Sequence, residues 1–387
     1  MSTLPPDFTL LQVIPDLETG GAEQTTVDIA RAVVQAGGRA LVATRGGRMI
    51  GRLIGVGGEM VELPVHSKNP LVIARNGLRL AEVIRKEKVS LIHVRSRAPA
   101  FSALIASRLT GVPFLTTYHG VYTAKGPIKR WYNSVMTRGP VTIANSNYTR
   151  DRVIAEHRLS PDRVVAIDRG VDLAWFDPAA VGAQRIEALR SRWRIGAADK
   201  RVKFILAGRL TRWKGQQLII DAMIALKAVG ARLPLILFVG GEQGRFEYRE
   251  DLELAIRTHE LEDCIRIVGH CDDMPAAYLL ADFALAPSLE PEPFGRTAVE
   301  PQAMGRAVLA ADHGAARATV IDGETGWLVK PGDEAAWAEA MRTAIELTPT
   351  KRAKMGAAAR TRASELYSVE AMCEATLNVY ARLVGSS

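Results

Sequence analysis

At 387 residues the chain exceeds one ordinary domain, so two are expected. Hydrophobic residues make up 48% and charged residues 24%, which excludes a disordered chain, and no apolar run reaches the ~20 residues of a membrane-spanning helix. The net charge of +8 is uneven: residues 1–190 hold 25 Lys+Arg against 16 Asp+Glu, whereas residues 191–387 hold 25 against 26. The basic first half suits an anionic partner such as nucleic acid, anionic lipid or a phosphorylated glycan. Cys264, Cys271 and Cys373 are an odd, sparse set. They fit a reducing cytoplasm without a disulfide framework, and their spacing is not that of a zinc site. The N-terminus lacks the basic and apolar regions of a signal peptide.

In the first half, apolar runs at 8–14, 40–43, 91–94, 114–117, 141–144 and 164–167 read as strands. Helical patterns lie between them at 23–35, 74–86, 98–109 and 149–157. This alternation predicts an α/β domain with a parallel, doubly wound sheet. Gly20 and Gly21 follow the first strand and open a helix, where a backbone can approach a ligand closely and free N–H groups favour an anion. The dinucleotide fingerprint G-x-G-x-x-G is absent in this setting, which disfavours an oxidoreductase. His119 ends the strand at 114–117. The stretch from Lys125 to Tyr132 mixes cations with aromatics, and with Arg75, Arg79, Arg85, Lys86 and Lys88 it could face an anionic bilayer surface or acceptor. No nucleic-acid module is recognisable, so nucleic acid is not an expected partner.

A polar linker is expected at 175–200, between a first domain over 1–185 and a second over 195–367. The second domain repeats the rhythm, with strands at 204–207, 235–239, 265–268, 283–286 and 307–310. Its first strand leads into Arg209 and Lys214, two cations that can hold a diphosphate, Arg209 bidentately and Lys214 as a point charge. This makes a divalent metal unnecessary, and no Asp-x-Asp motif is present. His270 follows the third of these strands. After the fourth comes Glu292-Pro-Phe294-Gly295-Arg296-Thr297-Ala-Val-Glu300, two carboxylates bracketing a Phe-Gly turn. Carboxylate oxygens accept hydrogen bonds from adjacent hydroxyls, which suits a sugar and a ribose. A helix starting at the turn would offer N–H groups to a phosphate between them.

This segment, with its flanking strands, resembles the E-x7-E signature of retaining glycosyltransferases with the GT-B architecture, in particular glycosyltransferase family 4. Gly20-Gly21-Ala22-Glu23 and the run from Gly208 to Gly215 are similar to two further motifs of that family. The resemblance implies two Rossmann-like domains facing each other across a cleft, with the terminal helix at 368–387 packing back on the first. It implies a nucleotide-sugar donor (UDP- or GDP-), a glycan or lipid-linked acceptor, and a role in lipopolysaccharide or surface polysaccharide synthesis. By that likeness Glu300 holds ribose hydroxyls and Glu292 sugar hydroxyls. Phe294, Gly295, Arg296 and Thr297 line the sugar and phosphate, and His270 lies near the base. Arg209 and Lys214 stabilise the leaving diphosphate. His119, Gly20 and Gly21 complete the site from the first domain. No cofactor or metal is implied, and the location is the cytoplasm, with peripheral contact at the inner membrane face. The chain departs from the family pattern at Arg169, where Asn is usual, and at Ala315 and Ala318. A nucleotide-sugar epimerase, a glycogen-type phosphorylase and a degenerate GT-B scaffold share the architecture and stand as alternatives, with a basic nucleic-acid-binding module the weakest.

Overall fold

The structure, a computed structural model, describes residues 4–18, 20–120, 122, 126–242, 244 and 246–385. It divides into two compact units. The first runs to Gly170 and takes in the chain from Val369 onward, and the second is Val171–Ser368.

The first unit is built from β1 (Thr9–Val13), α1 (Gly21–Gln35), β2 (Arg39–Thr44), α2 (Ile50–Gly55), β3 (Glu59–Glu62), α3 (Pro70–Lys86), β4 (Leu91–Val94), α4 (Arg97–Thr110), β5 (Phe114–Tyr118), α5 (Pro127–Asn133), β6 (Thr142–Ala144), α6 (Asn147–His157) and β7 (Val164–Ala166). The second contains α7 (Ala183–Arg192), β8 (Lys203–Ala207), α8 (Gln216–Ala228), β9 (Leu235–Val239), α9 (Phe246–Thr258), β10 (Ile265–Gly269), α10 (Met274–Leu280), β11 (Phe283–Ala286), α11 (Arg296–Ala303), β12 (Ala307–Ala311), α12 (Ala316–Thr319), β13 (Gly326–Val329), α13 (Glu334–Glu346) and α14 (Pro349–Leu366). Helix α15 (Val369–Gly385) returns to the first unit.

Both sheets are parallel throughout. Their orders are β3-β2-β1-β4-β5-β6-β7 and β10-β9-β8-β11-β12-β13. Helices cover both faces, so strands such as Leu235–Val239 are buried along their whole length. In each sheet the order reverses once, at β1/β4 and at β8/β11. Loops leaving the carboxyl ends of those strands diverge to opposite faces and open a crevice, the usual ligand position in such sheets.

The region read from sequence as a linker is part of the second unit. Phe176, Val181, Leu189 and Trp193 are buried in its core, so residues 171–185 fold with the second unit rather than the first. The polar composition of α7 hid this, because only Leu189 on that helix is fully buried. The short edge strand β3 and the strand β13 had no counterpart in the sequence reading. β3 carries Glu at both ends and has no fully buried residue, so it lacks an apolar run.

Candidate active site

In the second unit, the β8/β11 reversal brings two distant turns together. The chain leaves β8 through Gly208 and Arg209, makes a short 3-10 turn over Arg212–Lys214, and enters α8 through Gly215. Gly215 has φ +80°, and a Cβ there would lie 2.3 Å from the Pro287 carbonyl oxygen. Only glycine lets this turn press against the loop after β11. The Leu289 amide donates to the Trp213 carbonyl at 2.7 Å and ties the two loops. The outcome is an ion pair between Lys214 Nζ and Glu292 Oε1 at 2.7 Å, with side chains only 11% and 16% exposed. Ser288 Oγ donates to the same carboxylate oxygen, and the ammonium also lies 4.5 Å from the Trp213 ring centroid. Arg209 is exposed, and its guanidinium has no partner among the described residues.

Glu292 is fixed at its backbone as well. Its carbonyl accepts from the Ala315 amide at 3.0 Å. Gly314, at φ +60°, has no room for a Cβ against Glu292. The departure at Ala315 is thus accommodated, since a buried small residue there supplies only its N–H. Ala318 offers its carbonyl to Arg362 and Tyr367.

Gly295, left-handed at φ +80°, starts α11. Glu300 sits one turn in, where Arg296 donates to Oε1 at 2.8 Å and the Tyr278 hydroxyl to Oε2 at 3.1 Å. Burial, then the nearby Glu300 charge, pushes the Tyr278 phenol well above its ordinary pKa, so it stays a donor. Phe294 is buried against Tyr367. Ser288, Glu292, Gly295, Thr297 and His313 line one small cavity of about 20 Å³, and His313 Nε2 is buried there with no partner among the described residues. His270 is exposed at the end of β10 and pairs with the equally exposed Asp272 at 2.9 Å.

In the first unit, residues at the carboxyl ends of β1, β4, β5 and β7 form a second group. Gly20 caps α1, and the space a Cβ on Gly20 would need is taken by the Glu23 carboxylate. A Cβ on Gly21 would lie 2.3 Å from Arg169 Nη1. The missing side chain at Gly21 thus makes room for Arg169, a function the sequence did not disclose. Arg169 Nη2 donates to His119 Nδ1 at 2.7 Å. Burial, followed by the charges of Arg169 and Arg95, holds the His119 pKa well below the usual imidazole value. Asn145 Nδ2 donates to the His119 carbonyl at 3.2 Å, and Ser146 caps α6. Lys125 lies outside the described residues. Ile128, Lys129, Arg130 and Trp131 of the same stretch are exposed on α5.

Among the described residues no group of three or more His, Cys, Asp or Glu side chains is placed to hold a metal ion. None of the helices is long and apolar enough to cross a membrane, again among the described residues.

Residues 188–362 match the family model described as Glycosyl transferases group 1, and residues 19–175 match that described as Glycosyltransferase Family 4. The crystal structure of a glycosyltransferase from Rickettsia africae ESF-5 superposes with a TM-score of 0.91 at 31% identity, covering 98% of this chain and 100% of that one. The chain belongs to the group 1 glycosyltransferases of the GT-B fold.

Among curated relatives of this glycosyltransferase, the D-inositol 3-phosphate glycosyltransferases of Kineococcus radiotolerans and Salinispora arenicola are 32% and 33% identical over 62% and 63% of the chain. These matches span 57% and 55% of the relatives' own length, so the chain covers little more than half of them. Anabaena HepE, solved in complex with UDP-glucose, shares the fold with a TM-score of 0.80 at 24% identity, over 97% of this chain and 99% of that chain.

Proposed function

We propose that this glycosyltransferase is a retaining, metal-independent enzyme that moves a hexosyl group from a UDP- or GDP-sugar to a glycan or lipid-linked acceptor in surface polysaccharide or lipopolysaccharide synthesis. The observation that carries the reading is the Lys214–Glu292 pair at the β8/β11 reversal, with Arg209 exposed on the same loop after β8 and Glu300 held on α11. Two cations beside two oriented carboxylates match a ligand with a diphosphate between two polyols.

In this reading Arg209 and Lys214 take the charge that builds on the departing diphosphate. Glu292, anchored at its carbonyl and by Ser288, accepts hydrogen bonds from sugar hydroxyls. Glu300 accepts from the ribose, its carboxylate oriented by Arg296 and Tyr278. The amides at Phe294 and Gly295 face the sugar or phosphate, flanked by Arg296 and Thr297, and His270 lies toward the base. His119 and the Gly20-Gly21 turn serve from the first domain. The acceptor hydroxyl forms a new bond to the anomeric carbon on the face the nucleotide leaves. The bond from that carbon to the diphosphate oxygen breaks, and an oxygen of the leaving diphosphate takes the acceptor proton. An active site at the cytoplasmic face of the inner membrane, with α5 in peripheral contact, would place the enzyme at lipid-linked acceptors. The relatives' names add an inositol phosphate to the acceptors worth testing.

Incubation with a panel of UDP- and GDP-hexoses and these acceptors, followed by proton NMR, tests the proposal. Nucleoside diphosphate release with a product of the donor's anomeric configuration supports it. An inverted product overturns retention, and an epimerised donor without transfer overturns the transferase assignment for this chain.

A further inference from the structure

Arginine has no acceptor atom, so a nitrogen that meets a guanidinium at hydrogen-bond distance must be the acceptor. Arg169 Nη2 meets His119 Nδ1 at 2.7 Å, which leaves Nδ1 unprotonated. A neutral imidazole then carries its one proton on Nε2. His119 Nε2 is buried and has no hydrogen-bond partner among the described residues. We propose that Arg169 is a positioning residue that fixes His119 as the Nε2–H tautomer, a committed hydrogen-bond donor at the carboxyl end of β5 for a substrate oxygen. That role for the Nε2–H rests on the functional reading above; the choice of tautomer does not.

Three features support the assignment. The guanidinium is seated, since Arg169 Nη1 occupies the space over Gly21 that any side chain there would need. The backbone that carries the ring is held too, with the His119 carbonyl accepting from Asn145 Nδ2 at 3.2 Å. The charged groups that act on the ring, Arg169 after β7 and Arg95 after β4, are both cations, and with burial they keep it neutral. With Nδ1 taken up by Arg169, the contribution of His119 in this proposal is a directed Nε2–H rather than a proton relay. The Asn usual in the family can either donate or accept through its amide, so it would leave both tautomers open. Arginine at 169 removes that choice.

The test is long-range proton–nitrogen NMR of the protein labelled with nitrogen-15 in histidine, with the His119 signal assigned from His119→Gln. The expected spectrum shows Nε2 protonated and Nδ1 as a bare acceptor, unchanged from pH 8 to 6. Arg169→Asn should mix the tautomers, and Arg169→Lys, which keeps a cationic donor, should restore Nε2–H in part. Gly21→Ala displaces the guanidinium without altering Arg169 and should reproduce the Asn spectrum. In kinetics, Arg169→Asn and His119→Ala should each lower kcat/KM about tenfold, the cost of one hydrogen bond to substrate, and should not add when combined. An Nδ1–H tautomer in the wild type, or titration with the ordinary midpoint near 6.5, overturns the proposal. So does an Arg169→Asn protein that keeps both the wild-type spectrum and wild-type kinetics. The expected spectra without transfer from any nucleotide sugar would uphold Arg169's setting of the tautomer and overturn the functional reading instead.

Discussion

A carboxylate in a binding site must be charged, oriented and still able to accept. In the proposed site Glu300 is oriented by two donors on different oxygens, Arg296 and Tyr278. Tyr278→Phe removes one of them, and because the bond goes to a charged acceptor the loss should cost about 1.5–3 kcal/mol, read as a lower urea midpoint and weaker nucleotide binding. Lys214→Ala leaves Glu292 without its cation and removes charge from the proposed leaving-group site. It should lower kcat by about 100-fold or more with the fold intact by circular dichroism. The acids and cations were legible because their spacing around short turns is local. Tyr278 and Ser288 were not, and neither was the direct pairing of Lys214 with Glu292, which lie 78 residues apart. That contact exists only because β8 and β11 are neighbours, and spacing along the chain does not encode strand order. Histidine protonation gives a residue-scale pH dependence. Burial first, then nearby arginines, lowers the pKa values of His93 and His119 well below the usual value. Between the two states the unfolded chain then binds more protons. The stabilisation is complete above about pH 6.5 and is lost as pH falls below it. The thermal midpoint should drop from pH 7.5 to 5.5, and His119→Gln should flatten that drop.

Among elements, α15 is the most distant in sequence from the unit it completes. Met372, Cys373, Leu377, Val379 and Tyr380 are buried in the first unit's core, and Tyr380 hydrogen-bonds His93 on β4. Each such side chain contributes about 1.5–3 kcal/mol, and their sum rivals the 5–15 kcal/mol stability of a whole domain. Truncation after Ser368 should therefore leave the first unit unfolded by proton NMR. Tyr380→Phe should cost about 1–3 kcal/mol, because it strips a buried imidazole nitrogen of its partner. In the second unit the turn before α8 depends on Gly215. Gly215→Ala both strains the backbone at φ +80° and drives a Cβ into Pro287, so it should lower stability and displace Lys214 together. The alternating apolar runs made most strands legible. The edge strand β3 and the polar helix α7 were hidden because tertiary packing, not an apolar pattern of their own, defines them.

At the scale of the molecule, the charge asymmetry follows the folding units. The first unit carries 24 Lys+Arg against 15 Asp+Glu, a net of +9, and the second carries 26 against 27. On the basic unit, α5 exposes Ile128 at 83% and Trp131 at 58%, beside Lys129 and Arg130. Co-sedimentation should show binding to vesicles containing an anionic lipid, weakened by salt and by Trp131→Ala, and none to zwitterionic vesicles. The second unit, near neutrality, carries the groups assigned here to the donor. If Arg209, Lys214, Glu292 and Glu300 form a nucleotide-sugar site, UDP, GDP, ADP or CMP should raise the thermal midpoint of the wild type but not of the Glu300→Ala and Arg209→Ala proteins. A nucleotide at about 100 times its dissociation constant should add about 2.7 kcal/mol. Stabilisation of the wild type by UDP or GDP, lost in both variants, is the predicted result; no stabilisation by any nucleotide, or a shift that both variants retain, would contradict it.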